Sequence, residues 1–129
     1  MTSKNKDVII IGAGLCGSLL ALRLAQRGCK VRVYEKRSDP RTSELYSGRS
    51  INLAFSNRGN KAMKLVGLEN KVIPLCIPMK GRLIHDKLGN TIQSNYSGNT
   101  NEFINSISRK DLNILLINEA ENHPDVSFH

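Results

Sequence analysis

Aromatic residues, acidic residues and patterned cysteines are all scarce in this sequence. Phe, Tyr and Trp make up 5% of the 129 residues and Trp is absent, so a stacking platform for nucleic-acid bases is poorly supplied. The three cysteines show no CxxC spacing, which argues against a disulfide framework or a zinc ribbon and favours a reducing compartment. Asp and Glu number 11 against 19 Lys and Arg, a net charge of +8, which allows anionic partners.

Long apolar runs and clustered metal ligands are also lacking. The uncharged stretch from Val8 to Leu22 has 15 residues and three glycines, which is too short and too weakly helical for a membrane span. The three histidines lie far apart without ligand spacing, so we expect no metal site. The basic residues are spread across one supersecondary unit without a known binding motif, so we expect no nucleic-acid partner.

The first 35 residues have the pattern of a βαβ unit. Four β-branched residues from Val8 to Ile11 predict a strand buried on both faces. The second strand is predicted from Val31 to Glu35, and parallel strands joined by a helix imply a right-handed crossover. Between them, apolar residues recur at helical spacing before the stop at Gly28. These are Leu15, Leu19, Leu22 and Ala25, with Leu20 and Leu24 widening the stripe.

The polar segment 36–50 predicts a long loop, and 51–55 a short extended piece. A helix is predicted next, beginning at Ser56 or Asn57 and stopping at Gly67. Its inward side chains are predicted to be Ala62, Leu65 and Val66.

The last third of the chain predicts a hairpin, a long helix and a third strand. The segment between Pro74 and Pro78 is predicted to be irregular, whereas the triplets 83–85 and 91–93 flank a turn and predict a hairpin. Ser108 is predicted to cap a helix that ends near 122, and Val126 to begin a strand. Because such a strand should lead into further sheet, we expect residues 1–129 to be the N-terminal piece of a longer protein.

The most informative motif is Gly12-Ala13-Gly14-Leu15-Cys16-Gly17, a GxGxxG hexad that follows the first strand and opens the first helix. Glu35 follows 18 residues after the last glycine, at the end of the second strand. This context predicts a dinucleotide site with its pyrophosphate at the helix N-terminus. Glu35 would bind both hydroxyls of an adenosine ribose and repel a 2′-phosphate, which disfavours NADP here. NAD and FAD both remain open from these residues.

A wider pattern favours FAD. It consists of Gly12, Gly14, Gly17, Ala21, Gly28, Val31 and Glu35 and resembles the N-terminal FAD-binding motif of the glutathione-reductase-like flavoproteins. The expected fold is therefore α/β, a Rossmann-like FAD-binding βαβ unit with a parallel sheet and an inserted β-hairpin, and it is incomplete.

Three further segments resemble the kynurenine 3-monooxygenases, which are flavin-dependent aromatic hydroxylases. The first runs from Gly48 to Gly59 and includes Gly-Arg-Ser-Ile-Asn-Leu-Ala, and the second runs from Ile77 to His85. The third, Ser108 to Asn113, is similar to the Ser-Arg-x-x-Leu helix start of these hydroxylases. The resemblance covers nearly the whole chain after about residue 7.

The resemblance implies a set of cofactor-binding residues. The backbone around Cys16 would meet the FAD pyrophosphate, and Glu35 would hold the adenosine ribose. Ala54 would lie beside the cofactor where a larger side chain would crowd it, and Arg109 would reach FAD from a helix start. Arg109 is badly placed for the helix dipole, a conflict that an anionic ligand would remove. The implied set is Gly12, Gly14, Cys16, Gly17, Tyr34, Glu35, Lys36, Arg37, Ala54 and Arg109.

The resemblance also implies a substrate and a reaction. Arg82 would pair with the α-carboxylate of L-kynurenine through its two-donor fork, and Tyr96 would hydrogen-bond the same group. NADPH would reduce FAD, and one atom of O₂ would be transferred to give 3-hydroxykynurenine. The implied protein is cytoplasmic. The later segments that contact NADPH and the FAD ribityl are absent, so we expect this chain alone to be inactive and to bind FAD weakly.

Three other functions remain open at this point. The first is another FAD-dependent aromatic hydroxylase that acts on a different anionic aromatic compound. The second is an NAD-dependent dehydrogenase, and the third is a non-catalytic dinucleotide-binding module. Cys16 and Cys29 are expected to be packed small residues and not redox centres.

Overall fold

A computed structural model describes residues 6–42, 51–98 and 103–129. The predicted loop residues 43–50, with the Gly48-Arg49-Ser50 part of the family motif, lie outside the described residues. In chain order, the elements are β1 (Asp7–Ile11), α1 (Leu15–Ala25), β2 (Lys30–Tyr34), β3 (Asn52–Phe55), α2 (Asn57–Leu65), α3 (Glu69–Val72), a 3₁₀ turn (Ile73–Leu75), β4 (Cys76–Met79), β5 (Gly81–His85), β6 (Thr91–Asn95), β7 (Ile104–Ser108), α4 (Arg109–Glu121) and β8 (Val126–Phe128).

A parallel sheet with β2 at its centre forms the base of the fold. β1 and β8 flank β2, both parallel to it. On one face, α1 contacts the sheet and α4, and Val31 and Val33 are almost completely buried. The side chains of Ile9 and Ile11 remain 56% and 82% exposed. Parallel sheets are normally covered on both faces, so the described residues form part of a domain.

A second sheet and a hairpin lie between β2 and α4 in the sequence. β7 lies between β3 and β4 and pairs antiparallel with both, while β5 and β6 form a separate two-stranded hairpin. The hairpin turn is held by Asp86, whose carboxylate accepts hydrogen bonds from the backbone N–H groups of Leu88 and Asn90. The predicted hairpin is therefore confirmed.

Two predicted helix faces were partly wrong. Leu20, expected to widen the apolar stripe of α1, and Leu65, expected to face inward from α2, are 48% and 63% exposed. The corresponding buried positions are Ser18 in α1 and Met63 in α2. Ser18 is tolerated in the core because its hydroxyl donates a hydrogen bond to the carbonyl oxygen of Ala13. Apolar spacing alone does not distinguish these neighbouring faces.

Two strands of the second sheet were not predicted. The segment between the two prolines, expected to be irregular, contains β4, in which Pro78 lies opposite Asn105 of β7. Within the described residues, β4 is an edge strand whose one partner is β7. Proline is tolerated in an edge strand because a residue there does not need a backbone N–H for a second neighbouring strand. β7 itself has the sequence INSIS, which is too polar to stand out as a strand. β2 also ends at Tyr34, one residue before the predicted end.

Candidate functional site

The glycine loop joins β1 to α1 in a tight turn. Gly12 has a φ of +101°, and its N–H donates a 2.7 Å hydrogen bond to the carbonyl oxygen of Tyr34. A Cβ atom on Gly17 would lie 1.9 Å from the carbonyl oxygen of Gly12. The first glycine therefore provides the backbone conformation of the turn, and the third lets the helix approach it.

The mouth of α1 is open, and the helix itself places no acidic side chain there. Gly14 is the N-cap, no side chain caps the helix, and its first turn contains no acidic residue. A Cβ atom on Gly14 would have no neighbour within 4 Å. The first N–H groups of a helix lack partners within the helix, so this mouth provides both the donors and the space for a phosphate group.

Two side chains near the loop differ from expectation. Cys16 was predicted to be a packed small residue, which is wrong because its side chain is exposed at the helix mouth, whereas Cys29 is buried. Ser18 was not singled out from the sequence. It is fully buried and its hydroxyl donates a 3.2 Å hydrogen bond to the carbonyl oxygen of Ala13, which braces the loop from the helix. The presence of one serine among the apolar residues of α1 was the sequence signal that could have identified Ser18 as a buried, hydrogen-bonded residue.

The Glu35 carboxylate lies against the glycine loop. Its Oε2 accepts a 2.8 Å hydrogen bond from the N–H of Ala13, and its Oε1 accepts a 3.0 Å hydrogen bond from the N–H of Arg37. The backbone N–H of Arg37, followed by that of Ala13, lowers the pKa of the Glu35 carboxyl below its ordinary value. The acid is therefore ionised at neutral pH and ties the end of β2 to the phosphate loop.

The other residues predicted to line the adenosine half of a cofactor lie at the end of β2 or just after it. The ring of Tyr34 stacks on His129, while Lys36 and Arg37 are exposed. Further along, the guanidinium of Arg41 binds Asp39 and Glu121 and donates a 3.0 Å hydrogen bond to Asn118. Arg41, which sequence reasoning missed, fastens this loop to the last turn of α4. No local sequence pattern indicates the contact between Arg41 and Glu121, which are 80 positions apart.

Ala54 and Arg109 lie on neighbouring elements, β3 and the start of α4. Ala54 lies exposed on β3 opposite Ser106 of β7. Arg109 is the first residue of α4, and its backbone N–H donates a 3.2 Å hydrogen bond to the carbonyl oxygen of Ile51. The predicted cap is confirmed, since the Ser108 hydroxyl accepts a 3.3 Å hydrogen bond from the N–H of Asp111. The start of α4 thus lies beside β3.

Arg82 and Tyr96 lie near the same end of the hairpin. Arg82 of β5 is opposite Ser94 of β6, and Tyr96 comes just after β6, its N–H bonded at 3.2 Å to the carbonyl oxygen of Lys80. Tyr96 also lines a groove of about 620 Å³ beside Phe55 and Phe103, whose lining does not include Arg82.

Sequence comparisons give a consistent family signal. Residues 10–57 match the NAD(P)-binding Rossmann-like domain family. The chain is 50% identical over 129 residues to a kynurenine 3-monooxygenase of Anopheles gambiae and 52% identical over 120 residues to one of Cytophaga hutchinsonii. These alignments cover 100% and 92% of this chain but 26% of either relative. The chain thus spans about a quarter of the length of the curated relatives that it matches.

Solved structures of two oxygenases have a similar fold. The tetrameric form of 2-methyl-3-hydroxypyridine-5-carboxylic acid oxygenase superposes with a TM-score of 0.73 at 21% identity, over 96% of this chain and 31% of that one. p-Nitrophenol 4-monooxygenase from Pseudomonas putida gives a TM-score of 0.73 at 16% identity, over 98% and 32%. The comparisons confirm the predicted resemblance and the Rossmann-like α/β fold. Within the described parts of the chain, no helix has the length and apolar character needed to cross a membrane.

Proposed function

We propose that residues 1–129 are the N-terminal part of the FAD-binding domain of a kynurenine 3-monooxygenase, an NADPH-consuming enzyme that hydroxylates L-kynurenine with O₂. The observation that carries the proposal is the open mouth of α1 beside an ionised carboxylate at the end of the next strand. The 50% identity to a curated relative supports the substrate. The cytoplasmic location implied by the resemblance is part of the same proposal.

The residues at the α1 mouth fit an adenine dinucleotide. The backbone from Gly14 to Gly17, including Cys16, would hold the pyrophosphate, because the space that a Cβ atom on Gly14 would occupy is empty. Glu35 has its carboxylate at the same loop and would accept hydrogen bonds from the ribose hydroxyls. When bound, FAD supplies the redox chemistry that activates O₂.

Other residues would orient the flavin and line the adenosine end. Ala54 presents only a methyl group on the exposed face of β3, which would leave room for a flat ring. Arg109, at the start of α4 beside that strand, would offer a cation to the anionic cofactor. Lys36 and Arg37 are exposed next to Glu35 and would face the adenosine half. These groups position the cofactor and substrate, which is the protein's share of the catalysis.

The hairpin would recognise the amino-acid part of the substrate. The guanidinium of Arg82 matches a carboxylate with two parallel donors, and Tyr96, near the same end of the hairpin, would offer its hydroxyl as a third donor. A fixed carboxylate places the aromatic ring of the substrate at a constant distance from the hairpin. Orientation of this kind converts a random encounter into a defined approach of the ring to the flavin.

The substrate assignment is tested by kynurenine-stimulated NADPH oxidation in the longer protein. We expect L-kynurenine to accelerate NADPH oxidation and to yield 3-hydroxykynurenine. Arg82→Ala should raise KM about 30- to 100-fold, since a charge-assisted bidentate contact contributes about 2–3 kcal/mol. Arg27→Ala, which removes an exposed arginine at the end of α1, should leave KM unchanged. An absence of stimulation by kynurenine, with stimulation by another anionic aromatic, would assign a different hydroxylase.

The cofactor assignment is tested on this chain by thiol labelling. Cys16 is exposed at the helix mouth, while burial raises the pKa of the Cys76 thiol and Cys29 is buried, so maleimide should modify Cys16 first. We expect FAD to protect Cys16 and to leave the slower labelling of Cys76 unchanged. Half-protection should require FAD above about 1 μM, because the chain spans 26% of the length of its curated relative and the remainder would supply further cofactor contacts. Submicromolar binding, or no protection at any concentration, would contradict this expectation.

A further inference from the structure

One arginine side chain connects the segment after β2 to the end of α4. The guanidinium of Arg41 makes salt bridges to Asp39, two residues earlier, and to Glu121, the last residue of α4. Its Nη1 also donates a 3.0 Å hydrogen bond to the side chain of Asn118 in the same helix. We call these four residues, Asp39, Arg41, Asn118 and Glu121, the Arg41 clamp. One guanidinium thus holds three other side chains.

A tight turn presents Arg41 to the helix. The carboxylate Oδ1 of Asp39 accepts a 2.9 Å hydrogen bond from the backbone N–H of Arg41, and the carbonyl oxygen of Asp39 accepts one of 3.2 Å from the N–H of Thr42. Pro40 lies inside the turn, where its ring restricts the backbone. The Arg41 side chain lowers the pKa of the Asp39 carboxyl, so this carboxylate is ionised at neutral pH. The turn and the clamp therefore stabilise each other.

The clamp holds the far end of a segment whose near end belongs to the proposed cofactor site. At the near end, the Glu35 carboxylate accepts the backbone N–H of Arg37 at 3.0 Å, and at the far end Arg41 is bound to α4. Lys36 and Arg37, proposed to face the adenosine half, lie between these two attachments. A segment that is fixed at both ends has little freedom left to lose when a ligand binds.

Another ion pair on the same helix provides a comparison. The Lys71 Nζ lies 2.6 Å from the Glu119 Oε1 and joins α3 to α4. Like the clamp, it is a partly exposed contact between segments distant in the sequence, and such contacts contribute little to folding stability. It differs from the clamp in what it holds, because α3 contains none of the residues proposed to bind the cofactor.

We propose that Arg41 is a positioning residue for the adenosine half of the dinucleotide, which acts through the clamp by ordering Lys36 and Arg37 before the ligand binds. The inference rests on the proposed function. A preordered segment lowers the entropy cost of binding, so the clamp should raise the affinity for ligands that contain adenosine. Inorganic pyrophosphate would meet only the mouth of α1, so its affinity should not depend on the clamp.

The experiment compares ADP with inorganic pyrophosphate in calorimetric titrations of the chain at about 0.15 M salt, which screens long-range charge effects. Arg41→Ala and Glu121→Ala should each weaken ADP binding about 3- to 10-fold, the cost of ordering one long side chain on binding. Pyrophosphate binding should stay within about two-fold in both variants. Lys71→Ala is the matched control and should change neither affinity. The urea midpoints of the three variants should be similar, because exposed ion pairs contribute little to folding stability.

Glu121→Ala distinguishes positioning from a direct effect of charge. This substitution makes the surroundings of Arg41 more positive, so a purely electrostatic role would leave ADP binding unchanged or tighten it. Either result would overturn the proposal, as would equal weakening of ADP and pyrophosphate binding, which would reveal a disturbed fold. If Arg41→Ala does not fold, Glu121→Ala alone gives the answer.

The outcomes also separate this proposal from the proposed function. Normal ADP binding by the unsubstituted chain, with no effect of Arg41→Ala or Glu121→Ala, would overturn the role of the clamp and leave the dinucleotide site intact. An absence of ADP binding by the unsubstituted chain would overturn both.

Discussion

Gly17→Ala is expected to prevent stable folding of this chain. The added Cβ atom would lie 1.9 Å from the backbone carbonyl oxygen of Gly12. Gly12 is held in place because its N–H donates a hydrogen bond to the carbonyl oxygen of Tyr34 at the end of β2. No flexible side chain can move aside, so α1 must shift away from the loop. We expect a loss of unfolding free energy above about 4 kcal/mol, in the range that marks backbone clashes and core disruption. Urea denaturation followed by circular dichroism measures it.

Gly14→Ala is the matched control in the same hexad. Gly14 has a φ of −74°, which alanine adopts readily, and its Cβ atom would meet nothing within 4 Å. The unfolding free energy of the Gly14→Ala variant should therefore stay within about 1 kcal/mol of that of the unsubstituted chain, a cost typical of an N-cap position. FAD affinity should nevertheless fall at least about ten-fold, because the methyl group occupies space proposed for the pyrophosphate. Equal stability of the two variants would refute the assigned division of roles between these glycines.

Glu35→Gln is expected to weaken both the loop and the cofactor site. Ala13 and Arg37 donate to different oxygens of the carboxylate. Glutamine replaces one of these oxygens with an NH₂ donor, so one of the two N–H groups would face another donor. We expect a loss of about 1–2 kcal/mol of unfolding free energy at neutral pH, and FAD binding weakened about ten- to hundred-fold. Asp7→Asn, an equivalent change at the exposed start of β1, should alter neither quantity.

The lowered pKa of Glu35 also predicts how the stability difference between the unsubstituted chain and Glu35→Gln changes with pH. A carboxyl group with a native pKa below its ordinary value of 4.5 contributes stability that is fully present above that value. The contribution is lost as the pH falls through the lowered native pKa. The difference between the unsubstituted chain and Glu35→Gln should thus be constant from about pH 6 to 8 and shrink below about pH 4.5. A difference that grows on acidification would show that Glu35 is not stabilised as its anion.

The sequence alone determined the βαβ unit and its glycine loop. Local features carry that information, since β-branched runs predict strands, apolar spacing predicts the helix, and Gly12, Gly14 and Gly17 have distinct positions in a short hexad. The same holds for the cap at Ser108, where the capping residue lies three positions before the N–H that it accepts. Each of these features lies within the element that it predicts or directly beside it, so residue types and spacing along the chain were enough to find it.

Only the tertiary structure decided which faces and partners these elements have. Ser18 is buried and Leu20 is exposed, which the apolar spacing of α1 did not indicate. β7 is a strand because β3 and β4 both pair with it. The second carboxylate partner of Arg41 lies 80 residues away along the chain. Tyr34 and His129 likewise meet only because β8 aligns with β2. Such contacts depend on the packing of separate elements, a cooperative property that residue spacing within one element does not encode.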